Sequence, residues 1–176
     1  MANLIRCYGC QASYEEEKSP GPAHPYIGAI PECWHVFTAI LAKTHLDPEY
    51  ASVSQITNDA YAAQHIGDQA DKRANQSAHL HLTGLYLNYV KKYPAAKIRH
   101  FREIIATTTE TIGWGIIEQP SSPHWMTVLD IISAQTVHDH TRRVKEWGES
   151  VWDCYRDTHE KIAEAYTRLY KNITLD

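Results

Sequence analysis

The segment from Gln135 to Asn172 reads QTVHDHTRRVKEWGESVWDCYRDTHEKIAEAYTRLYKN and carries the clearest structural signal in the sequence. Its apolar residues recur at intervals of three and four, the spacing that places side chains on one face of an α-helix. We therefore expect one long C-terminal amphipathic helix, with any bend at Gly148. The apolar positions are Val137, Val144, Trp147, Val151, Cys154, Ile162, Tyr166 and Leu169.

Shorter segments upstream show the same helical spacing, with proline and capping residues at their boundaries. Together they predict an all-α fold, a helical bundle. The predicted helices run from Pro31 to the Asp47-Pro48 pair, from Pro48 to about His65, from about Ala74 to Lys92, from about Ala95 to Thr107, and over a short stretch that Thr127 caps.

The first 31 residues differ from this pattern because they are rich in proline and glycine and contain the charged run Glu15-Glu16-Glu17-Lys18. No regular element of useful length fits here, and the segment cannot form a hydrophobic core of its own. Ordering it needs a staple or docking, since fixing each residue costs about 1–2 kcal/mol of entropy. We expect a metal-stapled head, residues 1–31, packed on a bundle, residues 32–176, as a single compact domain overall.

The composition excludes several classes of protein. With 17 Lys+Arg against 21 Asp+Glu, the net charge of −4 does not suit a protein that neutralises phosphates, so we expect no nucleic acid partner. No stretch approaches the ~20 apolar residues of a membrane span, and the N-terminus lacks a signal-peptide pattern. We expect a soluble cytoplasmic protein with no membrane partner, whose four cysteines are thiols or metal ligands.

The cysteines predict a metal site. Cys7 and Cys10 are separated by two residues, so both sulfurs can reach one ion at about 2.3 Å, and Cys33 is the natural third ligand. The fourth ligand is His24, on a proline-flanked loop, or His65, near a helix end. His35 is less suitable because residues two apart on a helix point in nearly opposite directions from each other. We expect structural Zn²⁺ in a Cys3His set; the alternative is a pair of reduced surface thiols and a buried Cys33.

A second cluster of polar residues lies on the predicted second and third helices. If these helices pack antiparallel, Asp59 and His65 face His81 beside the hydroxyl of Tyr61. Such a group could bind a second metal or transfer protons, with Asp59, Tyr61, Gln64 and His81 as candidate catalytic residues. The alternative is a satisfied polar network. Gly84, on the same stripe as His81, costs helix stability and permits close approach of a neighbouring group.

The ordered set of motifs resembles an uncharacterised bacterial family, the domain of unknown function 5946. The resemblance spans most of the chain and implies no established activity, although it supports the choice of residues above. The family pattern has a histidine four positions before Asp59, where this chain has Gln55. The motifs are Cys7-Tyr-Gly-Cys10, His24-Pro-Tyr-Ile-Gly28, Cys33-Trp34, Asp59-Ala-Tyr61-Ala-Ala-Gln64-His65, Gln76-Ser77, His81-Leu82, Gly84-Leu85 and Val151-Trp152.

Two functions follow from these patterns. One is a zinc-binding enzyme that acts on a small-molecule substrate between the second and third helices. Metal-assisted hydrolysis is the reaction class that these residues favour. The other is a non-catalytic, zinc-stapled module for protein interaction or homo-oligomerisation. For that module, the last helix would supply Trp147, Val151 and Tyr155 as exposed apolar anchors.

Overall fold

A computed structural model describes residues 3–17, 21–68, 70–108, 115–121 and 123–173. Over these ranges the chain is mostly helical, which confirms the predicted all-α class. The strands are β1 (Leu4–Arg6) and β2 (Ser13–Glu15), and the helices are α1 (Pro31–Ala42), α2 (Pro48–Ala51), α3 (Ser54–Gln64), α4 (Lys72–Tyr89), α5 (Ala95–Thr108), α6 (Val128–Ile132), α7 (Val137–Cys154) and α8 (His159–Ile173).

The predicted caps begin the helices where the sequence places them. The Asp47 side chain accepts a hydrogen bond from Glu49 N at 2.7 Å, with Pro48 in the first turn of α2. Thr127 and Asp130 form a reciprocal capping box at the start of α6. These side chains satisfy backbone N–H groups that have no partner within the helix.

Two predicted helices are each divided in the structure. The helix expected from Pro48 to His65 is interrupted at Ser52 and Val53, between α2 and α3. The helix expected from Gln135 to Asn172 was wrong as a single element, because α7 ends at Cys154 and a 3-10 turn, Arg156–Thr158, precedes α8. The side chain of Leu169 lies outside the described part of the chain.

The C-terminal break lies at Tyr155 and not at Gly148. Gly148 is inside α7, where a β-carbon would meet Ile56 and the hydroxyl of Tyr89. Its lack of a side chain therefore serves close helix packing. Tyr155 is buried, and its hydroxyl donates a hydrogen bond to the carbonyl of Ala63 at 2.6 Å. That long-range bond fixes the position where the chain turns between α7 and α8.

Helix α3 lies at the centre of the bundle and contacts α1, α4 and α7. The apolar face of α7 packs into this core, so the expectation that it supplies exposed anchors for a partner was wrong. Trp147, Val151 and Tyr155 are each at most 1% exposed. The apolar residues at this three-and-four spacing contact other residues of the same chain.

The head contains a small hairpin that the sequence did not predict. Strands β1 and β2 pair antiparallel, with Ile5 opposite Tyr14, and the turn between them carries Cys7 and Cys10. The hairpin is held to distant segments by Trp125 Nε1, which donates to Cys10 O at 3.1 Å, and by the Tyr8 hydroxyl, which donates to Ala29 O at 3.1 Å. None of the described helices has the length and apolar character needed to cross a bilayer.

Candidate metal centre and neighbouring cleft

Four buried side chains from three parts of the fold converge on one point. Cys7 and Cys10 come from the hairpin turn, Cys33 from the first turn of α1, and His65 from the residue that ends α3. Their ligand atoms all lie within 4.8 Å of one another, and each residue is at most 2% exposed. The structure therefore brings together three thiols and one imidazole in a Cys3His set.

The spacing of these atoms fits a tetrahedral ion. At a zinc–sulfur distance of about 2.3 Å, tetrahedral geometry places two sulfurs about 3.8 Å apart and a sulfur and a nitrogen about 3.6 Å apart. The Cys10 and Cys33 sulfurs are separated by 3.8 Å, and Cys33 Sγ lies 3.3 Å from His65 Nε2. The residues thus fit Zn²⁺ in the donor atoms that they present and in their spacing.

His65 is oriented for coordination through one nitrogen. Its Nδ1 lies 2.7 Å from the carbonyl oxygen of Tyr61, a position in which Nδ1–H donates to that oxygen. This bond fixes the orientation of the ring and directs Nε2 at the sulfurs, where a bound metal ion would take the place of an Nε2 proton. Gly9 makes room for the ring, because a β-carbon there would collide with His65 and with the carbonyl of Gly28.

The proximity of the four groups separates their pKa values. Hydrogen bonds from Cys10 and Cys33 hold the pKa of Cys7 far below its usual range, whereas hydrogen bonds with Cys10 and Cys7 raise the pKa of Cys33. Burial lowers the pKa of His65, but hydrogen bonds to Cys10 and Cys7 outweigh it and raise that pKa to about 9. The cluster thus favours positive charge beside a thiolate, which is the charge that a divalent metal ion supplies.

Two tyrosine hydroxyls lie beside the cysteine sulfurs. Tyr61 OH donates to Cys33 Sγ at 3.6 Å, and Tyr14 OH lies 3.8 Å from Cys10 Sγ. Burial, followed by the charge of the neighbouring cysteines, raises the pKa of both tyrosines well above the usual range, so both keep their protons. Hydroxyl donors of this kind stabilise metal-bound thiolates and are part of the site.

The other two histidines that we considered as the fourth ligand lie outside the cluster. His24 is exposed and packs against Trp34, with ring centroids 5.5 Å apart. His35 is exposed on α1 and its Nδ1 lies 3.4 Å from a carboxylate oxygen of Glu17. Neither imidazole belongs to the Cys3His group, so the histidine that the structure adds to the cysteines is His65.

Asp59 and His81 form a separate acid–base pair. His81 Nδ1 lies 2.8 Å from Asp59 Oδ1, and the same carboxylate also pairs with Arg102 and accepts a hydrogen bond from Gln55 Nε2 at 3.1 Å. The Asp59 side chain is only 2% exposed, whereas that of His81 is 15% exposed. The two histidines that we expected to face each other thus belong to two sites: His65 to the metal cluster, and His81 to this pair.

His81 lines a cleft of about 160 Å³ between α1, α3 and α4. The cleft is next to the Cys3His cluster, because Tyr61 is one of its lining residues and donates its hydroxyl to Cys33. Its described lining consists of His24, Ile27, Trp34, Phe37, Asn58, Tyr61, Ala62, Ser77 and His81.

A model of a family of unknown function, DUF5946, matches residues 5–156, which include both groups of residues just described. The chain belongs to the DUF5946 family. Comparison with curated proteins and with solved structures finds no match. For this DUF5946 chain, the functional conclusions therefore rest on the geometry of its own residues.

Two of the predicted catalytic residues of the DUF5946 chain make bonds within the protein. Gln64 is fully buried; its Nε2 donates to Met126 O at 2.6 Å and its Oε1 accepts from Trp147 Nε1 at 3.0 Å. Tyr61 donates its hydroxyl to Cys33, and its ring stacks on Phe37 with centroids 3.7 Å apart. Gln64 thus connects α3 to α7, while Tyr61 lies between the Cys3His cluster and the cleft.

Sequence reasoning did not identify Arg102, Gln119 or Trp125. Arg102 is on α5 beside the buried residues Phe101 and Ile105, so helical spacing shows only that it borders an apolar face. Gln119 Nε2 donates to Gly9 O at 2.6 Å and to Gln64 O at 2.9 Å, which ties a loop to the metal cluster. These contacts join residues more than 40 positions apart, and no local pattern marks them.

Proposed function

We propose that this protein binds one Zn²⁺ through Cys7, Cys10, Cys33 and His65, and that the ion is structural. The observation that supports the proposal is the convergence of three buried sulfurs and one imidazole at tetrahedral spacing. Thiolate and imidazole donors in this geometry are typical of zinc. Because the thiols must stay reduced, the proposal keeps the expected cytoplasmic location.

The structural role follows from the number and origin of the ligands. Four protein atoms fill the coordination sphere of tetrahedral zinc, so no position is left for the water that metal-assisted hydrolysis requires. The ligands also come from the hairpin, α1 and the end of α3, so one ion holds the head against the bundle. We therefore do not place the expected hydrolase chemistry at this cluster.

Metal analysis with matched variants tests the ligand set. We expect close to one zinc ion per chain in the wild type and a loss of zinc in Cys7→Ser and His65→Ala. The controls are Cys154→Ser and His24→Ala, because Cys154 and His24 lie outside the cluster. Zinc loss in His24→Ala together with zinc retention in His65→Ala would show that the ligand set is wrong.

Cobalt substitution tests whether the site is closed. Tetrahedral Co²⁺ bound to three thiolates gives strong visible and sulfur-to-metal charge-transfer absorption, so the spectrum reports ligand type and geometry. We expect this spectrum to stay unchanged when azide or cyanide is added, because the protein occupies every coordination position. A spectral change on adding either anion at concentrations that leave the protein folded would indicate an open position and a catalytic metal.

A further inference from the structure

The cleft beside the metal cluster has the walls of a site for a flat molecule. Trp34 and Phe37 on α1 and Tyr61 on α3 are among its lining residues, and His24 packs against Trp34. The ring of Tyr61 is covered by those of Phe37 and His65, with centroids 3.7 and 4.0 Å away, so the partly exposed Trp34 is the main aromatic wall. A volume of about 160 Å³ matches a single six-membered ring, since an apolar cavity of about 150 Å³ holds benzene. Aromatic walls bind the face of such a ring by offset or edge contacts.

One imidazole in the cleft has its orientation fixed by a carboxylate. His81 Nδ1 lies 2.8 Å from Asp59 Oδ1, so the neutral tautomer that this bond favours carries its proton on Nδ1 and its lone pair on Nε2. Since Nδ1 is directed at the buried carboxylate and the His81 ring lines the cleft, Nε2 is the atom offered to a ligand. Arg102 pairs with the same carboxylate, so Asp59 is held in place from two sides and orients His81.

The charge of the lining restricts the ligand further. None of the described lining residues is Lys, Arg, Asp or Glu. A carboxylate or ammonium ligand would lose hydration without gaining an opposite charge. A neutral ligand that donates one proton to Nε2 satisfies both the aromatic walls and the imidazole.

We propose that this cleft binds a neutral monocyclic aromatic molecule with a ring hydroxyl, a phenol, and that His81 Nε2 accepts the hydroxyl proton. In this step the ligand O–H bond breaks and its electron pair stays on the ring oxygen. A new N–H bond forms on His81, and the Asp59 carboxylate stabilises the resulting imidazolium. The site is an acid–base centre that goes beyond the zinc proposal and needs no metal as a reactant.

Binding of 4-nitrophenol to zinc-loaded protein tests the proposal, because this phenol absorbs visible light when it ionises. We expect saturable binding, with the ionised spectrum appearing below the pH at which the free phenol ionises. The comparison ligand is 4-nitrotoluene, which has a similar shape and no hydroxyl. It should bind about tenfold more weakly, since it makes no hydrogen bond with His81.

The variant His81→Gln isolates the proton acceptor, and His138→Gln, at an exposed position on α7, is the matched control. We expect His81→Gln to bind 4-nitrophenol about tenfold more weakly and to lose the ionised spectrum, while His138→Gln behaves like the wild type. Zinc content and circular dichroism of each variant show that the fold and the metal centre are retained.

Three outcomes would overturn the proposal. The first is equal affinity for 4-nitrophenol and 4-nitrotoluene, and the second is an unchanged ionised spectrum in folded His81→Gln. Failure of the folded, zinc-loaded wild type to bind 4-nitrophenol would also overturn it, without affecting the zinc proposal. Asp59→Asn tests positioning: the pH midpoint for ionisation of the bound phenol should rise, because the imidazolium loses its counter-charge.

Discussion

At the scale of single residues, the position of Asp59 depends on Gly84, which has no side chain. The carboxylate of Asp59 lies where a β-carbon of Gly84 would be, since such an atom would be 2.7 Å from Asp59 Cγ and closer still to Oδ2. Gly84 is in the interior of α4, where glycine costs about 1 kcal/mol relative to alanine. The chain therefore accepts a weaker helix in order to hold a buried carboxylate against His81.

Gly84→Ala tests this arrangement by the sign of its effect. In an ordinary helix interior this change stabilises the protein by about 0.5–1 kcal/mol. Here we expect destabilisation by about 1–3 kcal/mol, because the added methyl group displaces Asp59 from its partners. Urea unfolding of zinc-loaded protein measures the difference, and a stabilised variant would contradict the close packing between Gly84 and Asp59.

His79 gives stability a specific dependence on pH. It is 1% exposed, and its ring lies 2.6 Å from the carbonyl of Gly115. Burial lowers its pKa from 6.5 to about 4, a shift that the hydrogen bond to Gly115 opposes and Lys161 reinforces. Between these values the unfolded chain binds a proton that the folded chain does not, so acidification through this range favours unfolding.

The free energy of unfolding should therefore fall by as much as about 3 kcal/mol through His79 alone as the pH falls from 6.5 to about 4. His79→Gln keeps a donor near Gly115 and removes the titration. We expect the variant to have a shallower pH dependence than the wild type in this window, measured by urea unfolding in parallel. Identical slopes for both proteins would exclude His79 as the source.

At the scale of secondary structure elements, Gln64 connects three segments. From the last residue of α3, its amide donates to Met126 O before α6 and accepts from Trp147 on α7. The bond with Trp147 is buried and that with Met126 is partly buried, so loss of the amide leaves an indole N–H and a carbonyl without this partner. Gln64 thus stabilises the packing of α3 against α7.

Gln64→Leu separates this structural role from the substrate-binding role that the sequence suggested. We expect destabilisation by about 1–3 kcal/mol, since the buried indole N–H of Trp147 and the partly buried carbonyl of Met126 lose their partner, with zinc content unchanged. Gln135→Leu, at an exposed position, is the control and should change stability by at most about 0.5 kcal/mol. Equal stability of Gln64→Leu and the wild type would contradict the role of Gln64 as a connector.

The elements also show how far sequence patterns reach. Spacing and caps predict the class, the starts of α1, α2 and α6, and the three cysteines of the metal centre, because these signals are local. The break at Tyr155 is not local: apolar spacing continues through it, and the bond from Tyr155 to Ala63 joins residues 92 positions apart. The sequence does not decide between His24 and His65 as the fourth ligand either, because the direction of the His65 ring depends on how α3 ends.

At the scale of the whole molecule, hydrogen bonds and buried apolar side chains join the described part of the head to the bundle, beside the candidate metal ligands. The hydrogen bonds include those of Trp125 to Cys10, of Gln119 to Gly9, and of the Gly28 N–H to the carbonyl of His65. Their net contribution is about 1 kcal/mol each, whereas a structural zinc ion supplies much more of the folding free energy. The ion and the head are therefore expected to be lost together.

Metal removal should lower the melting temperature by about 3 °C for each kcal/mol of stability that is lost. A strong zinc chelator should also expose the hairpin to trypsin after Arg6, which pairs with Ser13 in the folded head. Mass spectrometry identifies the cleavage, and excess zinc added with the chelator is the control. Unchanged melting and unchanged resistance to trypsin in metal-free protein would show that the head docks without the ion.

The order of the ligands along the chain has a consequence for synthesis of the protein. Cys7, Cys10, Cys33 and His65 all precede α4, so translation delivers the whole Cys3His group before more than half of the bundle exists. An ion bound to the nascent chain would close loops of 23 and 32 residues, between Cys10 and Cys33 and between Cys33 and His65. The conformational entropy of those two loops would then be lost before the rest of the chain is made. The later helices, from Lys72 onward, then emerge from the ribosome beside a preformed template.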